Sequence, residues 1–503
     1  MTEFHCTDLT FIIPTIGGDL KVLSKVIRAI KADAAQVNVL VVWDGRQPLE
    51  SAARSQMLQD GAAQVIEHAE NRGLSAARNT GVDHCHTPLA MFVDDDIVPQ
   101  SGIVAQLLAF HNTHPRPLQA VMGKVTWQGT SFANRITRWN ESKGNWNVFT
   151  TTASGARFSN FMGGFTSFKT AAFRAIRFDE SFKKYGCEDT EFGLRFFGRG
   201  GELVFIAEIV GQHHKAVSAN SYCREHLAAG YSKALLATLH PDDCFQTGYF
   251  RTAMSRHYSP AFFDGLCGAA DALNTDDDAT DDTELAELLA MLTSCAMLSG
   301  YASYFREQYP QFAEVDFRPS NVAIDPDRLT AFPPLALEYA HIQRQNIDSL
   351  SYLTQMQQQM PHYFAPYQLA WQLTQDLSFI DRFEQQAGAK GFSVAVRQAI
   401  AQIRQPAAVL QSQVLTAREL YKNLLALPDS ATIEISHLAA AIVKQDPTYV
   451  GAYIKLAQSV QSQTELALLL CSVARYFAAL RPRLEQQQHL ANIAVIEQQQ
   501  DRS

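Results

Sequence analysis

The sequence predicts an α/β fold with a mostly parallel sheet over its first 240 residues, followed by an all-helical region. Three observations carry this. Thr10-Phe11-Ile12-Ile13-Pro14-Thr15 is a continuous apolar run of the buried parallel-strand type, ended by proline, and Val37 to Val42 is a second, leading into Trp43-Asp44-Gly45. Between them Leu20, Leu23, Val26, Ile27 and Ile30 recur at helical spacing, which completes a βαβ unit. A third apolar run, Leu89 to Val93, ends in Asp94-Asp95-Asp96.

Polar groups at the carboxyl ends of parallel strands line the crevice where open α/β sheets bind ligands, so Thr15, Asp44 and Asp94 to Asp96 are expected to converge there. Asp94 and Asp96 stand two apart and can project the same way. Hard divalent cations prefer such oxygen ligands and keep open positions for substrate phosphates. The alternative is an acidic turn in solvent, and the neighbouring segments decide between them. No GxGxxG follows the first strand and no GxxxxGK[ST] occurs, which disfavours a dinucleotide-binding domain and a P-loop NTPase.

Three further blocks follow in order. Glu70-Asn71-Arg72-Gly73-Leu74-Ser75-Ala76-Ala77-Arg78-Asn79-Thr80-Gly81 is a polar loop running into a short helix. Asn160-Phe-Met-Gly163-Gly164-Phe-Thr-Ser-Phe-Lys169 precedes Phe178-Asp-Glu-Ser-Phe and then Gly186-Cys-Glu188-Asp189, which opens a helix carrying Arg195. Leu203 to His213 is a strand ending in His213-His214. Asn-x-Gly-x-x-x-Ala-Arg-Asn ahead of a strand ending in Asp-x-Asp, with the later blocks in this order, resembles family 2 glycosyltransferases of the GT-A fold. The resemblance spans roughly residues 8 to 240.

That resemblance implies a nucleotide-diphospho-sugar transferase domain with a Rossmann-like, mostly parallel sheet. It implies that Thr15, Asp44, Arg72, Asp94 and Asp95 contact the nucleotide-sugar, with Gly163 and Gly164 letting the backbone approach the sugar closely. It places Asp96 and His213 on a Mn²⁺ or Mg²⁺ ion, with Asp94 flanking it, and prefers His213 to His214. The general base for the acceptor hydroxyl falls on Asp189, with Glu188 beside it as the next choice. Both acids also suit a helix start, where they complement the dipole. Ordinary surface charge is the alternative for Arg72 and Arg78, and the spacing favours a functional role for Arg72. The expected reaction is inverting transfer from a nucleotide-diphosphate sugar, by default a UDP-sugar, to a hydroxyl on a glycan, lipid-linked or protein acceptor. Two departures stand out: Trp43-Asp44-Gly45, where many members carry Asp-Asp-Gly, and Pro14-Thr15-Ile16, where a Tyr-Asn or Phe-Asn pair is usual.

The chain has 503 residues, 47% of them apolar and 18% charged, with a net charge of −9. This describes a globular protein of two to four domains and argues against a nucleic-acid partner. Eight cysteines without CxxC spacing, and no signal peptide, read as reduced cytosolic thiols, with peripheral membrane contact left open. Leu285 to Leu298 is too short for a membrane span and contains Glu287. The expected division is a catalytic domain over 1–240, a linker with an acidic loop (Asp276 to Glu284) over 241–284, and a helical domain over 285–503 for acceptor docking, membrane-surface contact or self-association. Pro447-Thr-Tyr449 echoes Pro361-His-Tyr363, which leaves a helical repeat array open beside a plain bundle. A non-catalytic scaffold would be expected to lose Asp94, Asp96 or Asp189, and a sugar nucleotidyltransferase would want a basic loop where Gly17-Gly18-Asp19 stands.

Overall fold

The computed structural model describes residues 3–404 apart from 46, 143–160, 275–281, 313–314, 316, 318–331, 337–349, 375 and 389–390. Asn160, most of the acidic loop at 276–284, Cys471 and every expectation placed on 405–503 lie outside the described residues. Two compact units are present, Met1–Gln402 and Ile403–Ser503.

Eight strands form one sheet in the order β3-β2-β1-β4-β7-β6-β8-β5. They are β1 (Leu9–Thr15), β2 (Asn38–Trp43), β3 (Gln64–Glu67), β4 (Leu89–Val93), β5 (Ile97–Pro99), β6 (Gln119–Thr126), β7 (Phe165–Lys169) and β8 (Glu202–His213). β1 is parallel to β2 and β4, while β7 runs antiparallel to β4 and β6. All seven residues of β1 are buried, as a strand covered on both faces requires. Pro14 does not end this strand. The ladder with β4 stops at Ile12, so Pro14, opposite Val42, has a neighbouring strand on one side only and its missing N–H is tolerated.

Helices cover both faces. α1 (Leu20–Asp33), capped by Asp19 on the Lys21 and Val22 amides, α2 (Ser51–Asp60) and α4 (Ile103–Thr113) pack on one side, around Leu23, Val26, Ile27 and Leu107. α3 (Leu74–His84) contacts β1 and β2. On this second side α6 (Thr170–Ile176) and α7 (Glu188–Gly198) close a phenylalanine cluster of Phe92, Phe168, Phe173, Phe178, Phe192 and Phe196. α5 (Arg135–Ser142) lies between α4 and α6 in the chain.

Beyond β8, α8 (Ala219–Leu239), α9 (Pro241–Cys244), α10 (Thr247–Met254), α11 (Pro260–Leu273) and α12 (Thr283–Gln308) belong to the same compact unit as the sheet. α12 is 26 residues, longer than the apolar stretch legible in the sequence, and by length and composition it could cross a membrane. Half of its most apolar window is buried inside the protein, and α8 is the element it packs against most extensively. Two glycines permit that contact. A Cβ on Gly300 would overlap the Leu227 carbonyl oxygen, and one on Gly230 would overlap the Met297 carbonyl oxygen. Gly300→Ala is therefore expected to force the helices apart at a cost of about 1–3 kcal/mol, read as a fall of several degrees in Tm. An unchanged Tm would show that the crossing is looser than this packing requires.

Candidate active site

The site is assembled where β1, β2 and β4 end. At β2, Asp44 is almost fully buried and its backbone N–H bonds to the Thr15 carbonyl at 2.8 Å. Its carboxylate accepts from the backbone N–H groups of Arg72 and Gly73, both at 2.7 Å, and from Asn71 Nδ2 at 3.3 Å. His68 Nδ1 lies 2.7 Å from the same carboxylate and its Nε2 is 2.9 Å from Thr80 Oγ1. Asp44 thus fastens the Asn71–Gly73 loop to the sheet. Arg72 takes part through its backbone, while its half-exposed guanidinium pairs with Glu180 at 3.0 Å.

At β4, the acid triplet splits into three environments. Thr15 Oγ1 donates to Asp95, whose carboxyl is pushed up to about 7 by burial, with Asp96 and Asp94 adding repulsion. Burial also opposes ionisation of Asp96, but His213 outweighs it and holds that carboxyl below the usual range. Asp94 is nearly a third exposed and meets Arg78 at 3.2 Å.

The pairing of β5 with β8 explains His213. Their antiparallel register sets Ile97 opposite His213, which brings His213 Nε2 to 3.2 Å from Asp96 Oδ1 and the His214 amide to 2.7 Å from the Asp96 carbonyl. The His213 ring lies against Trp127, with centroids 4.3 Å apart. His214 turns elsewhere, its Nε2 3.5 Å from Lys25 Nζ, and burial lowers its pKa, with Lys25 acting in the same direction. The Asp96 carboxylate is a ligand type that suits Mn²⁺ or Mg²⁺, and the His213 nitrogen stands beside it. Among the described residues no cluster of three or more His, Cys, Asp or Glu side chains forms a metal cage, so substrate oxygens would have to complete the shell.

Arg78 is the residue that sequence reasoning undervalued. It is 2% exposed, and its two terminal nitrogens reach Asp94 Oδ1 and Glu188 Oε1, each at 3.2 Å. Burial disfavours the cation, yet Asp94, Glu188 and Asp189 together outweigh it and raise the Arg78 pKa. The ring of Phe178 lies 5.1 Å away beneath it. Its flanking Ala76 and Ala77, with Gly81 pressed on Ile12, were the available sign that this helix face is buried. Gly163 backs onto the Arg78 guanidinium and Gly164 onto the Asp94 carboxylate, so closely that a Cβ on either would overlap them.

Glu188 and Asp189 open α7 after a left-handed turn at Gly186 and Cys187. Burial, with Glu188 adding repulsion, pushes the Asp189 carboxyl up to about 7, against the pull of Arg78 and the Thr190 and Gly163 amides. Glu188 Oε2 is buried and accepts no hydrogen bond.

Two cavities meet here. The larger, about 670 Å³, runs past Thr15, Asp44, Asn71, the acid triplet and Lys183. The smaller, about 470 Å³, holds Asp189, His213 and Trp127 and is walled by Tyr222 and Glu225 of α8 and by Thr293 and Met297 of α12. Leu74, Asp94, Tyr185, Glu188 and Lys215 line both. Lys215 pairs with Glu225 at 2.7 Å; burial opposes its charge, but Glu225, Asp96 and Asp94 raise its pKa overall. No motif assigned a role to either member of that pair.

The model of the glycosyl transferase family 2 matches residues 10–179. The match is to that segment alone. The matched segment is about a third of the chain and runs from β1 through β7, and the fold is the expected GT-A arrangement of a mostly parallel mixed sheet followed by helices. Over 102 residues the chain is 31% identical to the pre-mycofactocin glycosyltransferase of Mycobacterium tuberculosis (strain CDC 1551 / Oshkosh), covering 20% of each protein. The chain therefore spans about a fifth of the length of the curated relatives it matches. Among solved structures it resembles GalNAc-T7 with UDP, GalNAc and Mn²⁺ (14% identity, TM-score 0.36, 60% of this chain and 58% of that one). It also resembles Staphylococcus aureus TarS 1-349 in complex with UDP (16% identity, TM-score 0.35, 60% and 91%).

Proposed function

We propose that the protein is an inverting, metal-dependent glycosyltransferase that moves a sugar from a nucleotide-diphosphate donor, by default a UDP-sugar, to an acceptor hydroxyl. The observation that carries this is the meeting of two cavities at Asp94 and Glu188, bridged by Arg78, with the acid triplet on one side and Asp189 on the other. The family 2 match over residues 10–179 supports the same reaction class.

In this reading the larger cavity takes the nucleotide, with Thr15, the Asp44-anchored loop and Asp95 around it and Lys183 and Lys215 facing the diphosphate charge. Asp96 and His213 would hold Mn²⁺ or Mg²⁺, with Asp94 alongside. When bound, the ion supplies positive charge that offsets the negative charge of a departing diphosphate. The acceptor enters the smaller cavity, where Asp189 takes the proton from its hydroxyl as that oxygen attacks the anomeric carbon from the face opposite the diphosphate. Arg78 keeps both carboxylate groups in place on either side of the sugar.

Metal removal tests the donor half. UDP at about a hundred times its dissociation constant should raise stability by roughly 2.7 kcal/mol when Mn²⁺ is present. EDTA should abolish that shift, and Asp96→Ala should abolish it even with Mn²⁺. UDP binding indifferent to both would remove Asp96 and His213 from the donor site.

A further inference from the structure

The smaller cavity has a marked charge imbalance. Four carboxyl groups line it, on Asp94, Glu188, Asp189 and Glu225, of which Asp189 ionises only at about pH 7, against two permanent cations, Arg78 and Lys215. Both cations are already engaged: Arg78 with Asp94 and Glu188, Lys215 with Glu225. His226, also in the wall, has its pKa lowered chiefly by burial, and its Nδ1 sits 2.8 Å from the Tyr222 carbonyl. A ligand entering here therefore meets no unengaged positive side chain among these groups. It does meet an unsatisfied acceptor, since Glu188 Oε2 is buried, lies in the wall and accepts no hydrogen bond. The rest of the wall sets polar groups, Asn140, Thr190, Tyr222 and Thr293 among them, beside an apolar stretch of Trp127, Phe161, Met162, Ala229 and Met297.

We propose that this cavity selects an uncharged glycoside as acceptor, with Glu188 Oε2 accepting a hydrogen bond from one of its hydroxyls and the apolar wall of β6, α8 and α12 taking its aglycone, and that it rejects acceptors carrying a carboxylate or phosphate. The inference rests on assigning the acceptor to the smaller cavity. An anionic group placed among these carboxylates is repelled, because at a partly buried site like charges a few ångströms apart interact far more strongly than in water. A neutral hydroxyl donates to Glu188 and relieves the cost of leaving its oxygen buried and unpaired.

The test compares p-nitrophenyl β-glucoside with p-nitrophenyl β-glucuronide, which differ only in the carboxylate. Each is titrated calorimetrically into the full-length protein, with and without UDP and Mn²⁺. The glucoside should bind at least about tenfold more tightly than the glucuronide. Glu225→Gln removes one negative charge and releases Lys215, so in the arm without nucleotide it should narrow that ratio to within about threefold. A glucuronide bound as well as the glucoside would overturn the proposal, as would failure of both to bind. The arm without nucleotide keeps the result independent of the donor assignment, because a protein that does not bind UDP still reports its preference between the two glycosides.

Discussion

Asp189→Asn is expected to lower transfer by about 10²- to 10⁴-fold, the usual cost of losing a general base, while UDP affinity stays close to wild type. The amide keeps the size of the carboxylate but cannot take the acceptor proton. The wild-type pH profile follows from the position of the group. With its carboxyl pushed up to about 7 by burial and by Glu188, Asp189 is protonated at lower pH and ionised above. The apparent kcat/KM should therefore climb through about pH 7 and level off beyond it, as one macroscopic step belonging to the Glu188–Asp189 pair. Near-normal transfer by Asp189→Asn, or a flat profile between about pH 5.5 and 8, would move the base to another group, with Glu188 first in line.

Arg78→Met should destabilise the fold by about 3–5 kcal/mol, because removing one member of a buried ionic network leaves the charges opposite it without compensation. Glu188 loses the hydrogen-bond donor on its Oε1, and Asp94 loses its contact with the buried guanidinium. Arg78→Lys cannot span both acids, since a single ammonium has no planar fork, so it should recover only part of the loss. Adding Glu188→Gln to Arg78→Met should recover some stability by removing the stranded charge. In folded Arg78→Met, with Glu188 unchanged, Asp189 has lost an opposing cation, and the rise in kcat/KM should shift to higher pH. Urea denaturation decides the first point: a loss below about 1 kcal/mol would mark Arg78 as a replaceable surface-type charge.

The long apolar strands and the acid triplet were legible because each is a local pattern. β1, β2 and β4 are runs of buried residues with no polar alternation, and the residues that follow them are where an open sheet must present its ligands. The start of α7 was equally plain, with Glu188 and Asp189 following Gly186. What could not be read is non-local. β5 is only three residues long, and nothing in Ile97-Val98-Pro99 states that its partner will be the end of β8, 116 positions away in the Ile97–His213 pair. That register, and not the His-His dipeptide, sets His213 against Asp96. The walls contributed by α8 and α12 were invisible for the same reason: Tyr222, Glu225, Thr293 and Met297 carry no motif and acquire meaning only through the Gly230–Gly300 crossing. Arg78 fell to a different cause, since a lone arginine on a short helix is usually solvated and here it is sealed beneath Gly163.

The anchoring of the Asn71–Gly73 loop by Asp44 has a consequence for how this region breathes. The amides of Arg72 and Gly73 belong to no helix or strand ladder, yet both end on a buried carboxylate. Solvent deuterium can replace their protons only when Asp44 lets go, so they should exchange as slowly as strand amides despite lying in a loop. Their protection factor becomes a gauge of whether the larger cavity keeps its shape, readable before any nucleotide is added. In Asp44→Ala it should collapse at those two positions while the amides of β2 hold theirs.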